Sequence, residues 1–228
     1  FARADKRISN FGEEGQGAPL NGAFFRNITS SNVRFVIDGS GSMSACVMWG
    51  EGYGSWRTFY DPNRGRYRDT NQKCALTRME ALISEMTMIL EQLPNNTKVG
   101  ITAFSSSGYR NNKGWSESSS GLARLGDDGK RESAIEFVNT LDDERVTRWG
   151  GTDPWNAIQQ AFDDRETDTM YIMSDGRPNQ DRNGGSWTNW DQEPTEDFYA
   201  SQNTNRQFNN QERALIVNTT SLGLNLPC

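Results

Sequence analysis

With 228 residues, and 24 lysines and arginines set against 30 aspartates and glutamates, the chain carries a net charge of −6 and a pI near 4.9. That balance argues against general nucleic-acid binding, whose affinity rests on basic side chains against phosphates, and no run approaches the ~18 apolar residues of a membrane-spanning helix. Histidine is absent altogether, which removes every Ser-His-Asp triad, Cys-His nucleophile and His-ligated zinc site.

The length fits one large α/β domain with insertions. Phe1 stands where an initiator methionine would, so the chain is expected to be a processed or excised piece. Residues 1–32 are polar and glycine-bearing around one apolar island, Ala23-Phe24-Phe25, and are expected to form a lead-in packed on the edge of a domain that spans 33–228. The first strand is predicted at 33–37, where Val33, Phe35, Val36 and Ile37 give a short β-branched and aromatic run. It stops at Asp38-Gly39-Ser40-Gly41-Ser42. Glycine lets such a backbone turn tightly, and the alternating Asp38, Ser40 and Ser42 offer the oxygen ligands that hard cations take. Standing alone, this would be ordinary turn chemistry.

An insertion at about 44–75, bracketed by Cys46 and Cys74, separates this turn from a helix. The helix follows from Leu76, Met79, Leu82, Met86, Ile89, Leu90 and Leu93 at helical spacing, with Pro94 beyond its end. A strand is predicted at 99–104, a short edge strand at Leu122–Leu125, and a helix starting near Asp127-Asp128-Gly129 that carries Ile135, Val138 and Leu141. Next comes Gly150-Gly151-Thr152-Asp153-Pro154, where Thr152 or Asp153 can cap a helix that buries Ala157, Ile158, Ala161 and Phe162. A strand at 169–174 ends on Ser174-Asp175-Gly176-Arg177-Pro178. A long polar loop is expected from 177 to about 205 (a second insertion, 176–205), then a short helix at 206–214 and a last strand at 215–222. The alternation of strand and helix predicts an α/β fold, a mostly parallel sheet with helices on both faces.

In such sheets ligands bind beyond the C-terminal ends of the strands, and three segments bring oxygen ligands there: Asp38-Gly-Ser40-Gly-Ser42, Gly150-Gly151-Thr152-Asp153-Pro154 and Ser174-Asp175-Gly176. In order and in secondary-structure context they resemble the metal-ion-dependent adhesion site of von Willebrand factor type A domains, and the elements from 33 to 225 follow that family's plan. The resemblance implies a doubly wound, Rossmann-like sheet with the insertions on the metal-site face. It implies direct metal ligation by Ser40 and Ser42, ligation by Thr152 directly or through water, and metal-bound waters held by Asp38 and Asp175. Mg²⁺ is the family's usual cation, and Ca²⁺ or Mn²⁺ suits the same oxygen set. A partner protein's Asp or Glu then completes the coordination. The family's closing strand and helix have no counterpart before Cys228, so either the chain is cut or the domain lacks that lever, and an integrin-like affinity switch is not expected. No general base stands out and no Walker A loop occurs, so a binding module is expected rather than an enzyme.

The insertions are expected to carry recognition. All seven tryptophans, Trp49, Trp56, Trp115, Trp149, Trp155, Trp187 and Trp190, are expected on or near the metal face. Trp49, Trp56, Tyr60, Arg64, Trp187 and Trp190 are the candidate contact residues, aromatics and arginine being common interface anchors. The competing expectation is a small core under the loops, and carbohydrate stacking is a second partner class. Asp61, Asn63 and Asp69 alternate around Gly65 like a calcium loop, and Asp181-Arg-Asn183-Gly184 does so more faintly, but neither completes the EF-hand spacing. A disulfide between Cys46 and Cys74 would close the first insertion, contribute about 3–4 kcal/mol and place the protein in an oxidising, extracellular or cell-surface setting; free thiols are the alternative. A pilus, adhesin or matrix-like adhesion protein is the expected context. An intracellular type A module of an ATPase or metal-chelatase complex is the competing one.

Overall fold

The central strand, β1 (Asn32–Asp38), is buried from Val33 onward, as a strand flanked by parallel neighbours and covered on both faces should be. A computed structural model of the protein describes residues 28–50, 59–61, 66–68, 73–106, 112–143, 150–209 and 214–221. In it β1 pairs in parallel with β6 (Lys98–Phe104) on one side and β9 (Thr169–Ser174) on the other. Beyond β9 lies β10 (Ile216–Ser221), also parallel. The opposite margin is finished by two short antiparallel pieces against β6, β7 (Lys113–Gly114) and β8 (Ala123–Arg124). The result is a mixed, mostly parallel open sheet with helices, an α/β architecture.

Because successive strand residues point to opposite faces, β1 feeds two hydrophobic clusters. Val33, Phe35 and Ile37 pack with Met79, Leu82, Met86 and Ile89 of α1 (Arg78–Gln92) and Ala134 and Val138 of α2 (Lys130–Thr140). Val36 packs with Met170, Ile172 and Phe104, and with Ala157, Ile158, Ala161 and Phe162 of α3 (Trp155–Asp163). The helical spacing read from α1 is the buried stripe observed. Its start is fixed by Thr77 and Glu80, each side chain accepting the other's backbone amide at 3.1 and 2.7 Å. Of the expected lead-in, residues 1–27 lie outside the described residues, and Ile28 is a buried member of the first cluster.

Three expectations change. The polar stretch 177–205 contains a helix, α4 (Gln192–Thr204), which runs into a π-helical turn at Asn205–Asn209; of the short helix expected at 206–214, residues 210–213 lie outside the described residues. The anchors of α4 are tertiary: the Tyr199 ring stacks on Phe162 at 5.0 Å, and the buried Arg206 guanidinium donates to the carbonyls of Ala161, Phe162, Asp164 and Thr167. Arg206 thus closes the C-terminal end of α3, whose last carbonyls have no helical partner. The first insertion, expected as a loop, contains two antiparallel pairs. They are β2 (Cys46–Gly50) with β5 (Lys73–Thr77), and β3 (Phe59–Asp61) with β4 (Arg66–Arg68). Trp115, expected near the metal face, is instead buried in the first cluster, its indole N–H donating to Ser133 Oγ at 3.0 Å. A side chain that large is most stably placed in the core once its one polar atom has an acceptor.

Candidate metal centre

β1 and β9 are in register through Ile37 and Met173, so the turns leaving their C-terminal ends meet. Asp38, the last residue of β1, is fully buried. Its Oδ1 accepts the Ser40 amide at 2.8 Å and its Oδ2 accepts the Ser174 hydroxyl at 2.6 Å. The hydroxyls of Ser40 and Ser42 lie 2.9 Å apart, and Ser42 Oγ donates to Asp175 Oδ1 at 2.9 Å. Four of the sequence-predicted ligands, from chain segments far apart in sequence, therefore form one hydrogen-bonded cluster.

Thr152 stands beside it in a separately fixed loop. Its amide donates to Asn179 Oδ1 at 2.6 Å and its carbonyl accepts the Asn179 amide at 2.8 Å. The Asp153 amide donates to Ser105 O at 3.2 Å, and Gly41 N reaches Gly150 O at 3.4 Å, linking this loop to the serine turn. Among the described residues no hydrogen bond joins the Thr152 hydroxyl to the cluster. The loop needs its glycines: Gly150 has φ +72°, and a Cβ there would lie 1.9 Å from Ser106 Oγ.

Sequence reading missed Asn179 and Arg78, and it gave Ser174 no role of its own within the Ser174-Asp175-Gly176 segment. Ser174 was visible as the neighbour of Asp175, but its bond to Asp38 crosses between strands. Arg78 is buried in the first turn of α1, where Nη1 donates to Asp175 Oδ2, and to Ser42 O at 3.3 Å. The β2–β5 pair delivers it there, because Cys46 lies opposite Thr77 and the Arg78 amide donates to Ala45 O at 2.9 Å. A cation in a helix's first turn opposes the helix dipole, and that local conflict was the available signal.

Burial raises the Asp38 pKa from 3.8 to about 6, and the negative charge of Asp175 adds to the rise against hydrogen bonds from Ser174 and Ser40. Asp153 is likewise raised by burial, opposed by the Trp155 amide. Two carboxylates facing each other with three hydroxyls nearby form an all-oxygen donor set that suits a hard divalent cation, and such a cation would relieve the repulsion that raises Asp38. Among the described residues no group of three or more His, Cys, Asp or Glu side chains is placed to hold a metal ion; the donors gathered at this centre are two carboxylates and a set of hydroxyls.

The remaining candidates are scattered. Cys46 is disulfide-bonded, and its expected partner Cys74 has its backbone in the adjacent strand β5, opposite Trp49. The side chains of Cys74, Trp49, Tyr60 and Asp61 lie outside the described residues, as do Trp56, Asn63, Arg64, Asp69 and Trp149 altogether. The Asp181 carboxylate accepts the amides of Asn183 and Gly185 at 2.7 and 2.8 Å, which makes that segment a self-satisfied turn. Trp187 is half-buried and stacks on Trp155 at 5.4 Å, whereas Trp190 is 89% exposed.

No protein-family model matches this chain, and no curated protein matches its sequence.

Proposed function

We propose that this protein is a von Willebrand factor type A domain, doubly wound about β1, that binds an acidic group of a partner protein through a divalent cation. The observation that carries this reading is the convergence of Asp38, Ser40, Ser42 and Asp175 at the ends of adjacent parallel strands. The strand order supports it: from β1 the chain goes to β6 on one side and later to β9 on the other, and the point where the order reverses is where α/β sheets bind ligands.

Ser40, Ser42 and Thr152 would hold the cation, with Asp38 and Asp175 as the anionic partners around it; Mg²⁺ is the first choice, Ca²⁺ and Mn²⁺ the alternatives. When bound, the cation supplies a positive, incompletely coordinated centre that an incoming carboxylate can complete. The chain's own part is orientation. Ser174 fixes the Asp38 carboxylate, and Asn179 fixes the Thr152 backbone. The exposed Trp190 and the first insertion lie on segments that would add recognition. This is binding, not catalysis. The disulfide at Cys46 favours an extracellular adhesion setting over an intracellular ATPase-associated module.

The test is a calorimetric titration of metal-stripped protein with Mg²⁺ and with Ca²⁺, beside Ser40→Ala. One binding event in the wild-type protein, lost in the variant, is expected. Indistinguishable titrations from two folded proteins would sink the reading.

A further inference from the structure

Arg78 is a charged group at this centre that the proposed ligand set does not use. It is 3% exposed, and its Nη1 contacts both Asp175 and the Ser42 carbonyl. Among the described residues its buried Nε and Nη2 have no hydrogen-bond partner, a costly arrangement for a guanidinium. It also stands in the first turn of α1, against the helix dipole. The ion pair with Asp175 engages one end of the guanidinium, and a cation set against the helix dipole is a local conflict of the kind that functional sites carry.

We propose that Arg78 sets the charge of the centre, so that the cation-loaded site is net positive and selects a carboxylate ligand. The proposal rests on the metal-binding reading above and specifies its ligand. With both carboxylates ionised, Asp38, Asp175 and Arg78 together carry one negative charge. A divalent cation turns that into one positive charge, and a single carboxylate neutralises it. Without the guanidinium the same cation would leave the site neutral, and a carboxylate would make it negative. Arg78 therefore weakens metal binding and strengthens anion binding, two effects of opposite sign from one residue.

Mn²⁺ serves as the probe metal and acetate as the probe carboxylate, the latter read by the fall in water-proton relaxivity of the Mn²⁺-loaded protein. Arg78→Gln is expected to bind Mn²⁺ on the order of tenfold more tightly and acetate on the order of tenfold more weakly, for a unit charge at close range. Arg78→Lys, which keeps the charge, should stay near wild type in both. A protein whose Mn²⁺ binding is lost in Ser40→Ala but unchanged in Arg78→Gln overturns this proposal and leaves the metal reading standing. Absence of Mn²⁺ binding in wild type and Arg78→Gln alike overturns both. Should Arg78→Gln fail to fold, the wild-type Arg78 Nε–H resonance, assigned by its loss in Arg78→Lys, must shift on Mg²⁺ addition; an unmoved resonance overturns the proposal.

Discussion

Gly150→Ala tests whether the loop holding Thr152 is built to the tolerance that its contacts imply. The backbone at Gly150 has φ +72°, and an added Cβ would meet Ser106 Oγ at 1.9 Å and Ser106 Cβ at 2.8 Å. The left-handed conformation costs alanine about 1–2 kcal/mol. Displacing Ser106 adds about 1–3 kcal/mol of overpacking. Alanine's narrower unfolded ensemble returns about 0.4–1 kcal/mol. The expected net loss is about 1–5 kcal/mol, read by urea unfolding with an unchanged slope. A double-mutant cycle separates the terms: Ser106→Gly removes both colliding atoms but leaves the backbone penalty. The pair should therefore couple favourably by about 1–3 kcal/mol. Since Gly150 O also accepts from Gly41 N, Mg²⁺ affinity should fall in Gly150→Ala and recover in the double variant. Additive losses, or a Gly150→Ala protein as stable as wild type, would refute the reasoning.

Two further outcomes follow from contacts away from the centre. Burial would raise the Asp164 pKa, but the hydrogen bond and charge of Arg34, with the Thr167 hydroxyl and Glu166 amide, outweigh it and hold the pKa below 3.8. Because the folded value lies below the unfolded one, this stabilisation is complete above pH 3.8 and is lost as pH falls through the folded value. Asp164→Asn should flatten that acid slope in thermal melts and cost about 3–5 kcal/mol at neutral pH by leaving Arg34 buried without its counterion. Trp187→Ala should lose about 1–2 kcal/mol with its stack on Trp155, whereas Trp190→Ala, at an 89% exposed position, should stay within about 0.5 kcal/mol of wild type in the same melts.

What the sequence made legible depended on whether the determinant was local. β1, β6, β9, α1 and α3 announce themselves through runs and periodicities of apolar residues, and the structure has them within two residues of the expected bounds. The Asp38–Ser40–Ser42 turn and Asp175 were visible as short patterns at strand ends. α4 was not, because its exposed face is polar and what anchors it is distant: Phe162 under Tyr199, and the carbonyls at the end of α3 around Arg206. Arg78 was hidden for the same reason. The first insertion stands between it and the serine turn, and the pairing of β2 with β5 folds that distance away. Local chemistry thus made the oxygen-bearing residues of the cluster legible, and long-range pairing supplied the charge beside it.

In the proposed metal-binding reading the centre sets stability against binding, and Asp38 is where the two can be separated. Its carboxylate is fully buried, faces Asp175, and has its pKa raised from 3.8 to about 6. A folded value above the unfolded one means that the group favours folding while protonated, and that this advantage is lost as pH rises through the interval from 3.8 to about 6. At pH 7 in chelator the ionised carboxylate thus opposes folding by about 3 kcal/mol. Asparagine has nearly the same shape, can accept the Ser40 amide through its carbonyl, and can donate to a rotated Ser174 hydroxyl. Asp38→Asn should therefore be more stable than wild type in chelator at pH 7, by about 1–3 kcal/mol after imperfect hydrogen bonding is allowed for, and should lose the decline between pH 4 and pH 7. Mg²⁺ should raise the melting temperature of the wild-type protein and leave that of the variant nearly unchanged. If the variant is instead the less stable protein in chelator, Asp38 contributes more to folding through its hydrogen bonds than it loses by burial. The case for a carboxylate kept there for binding would then fail.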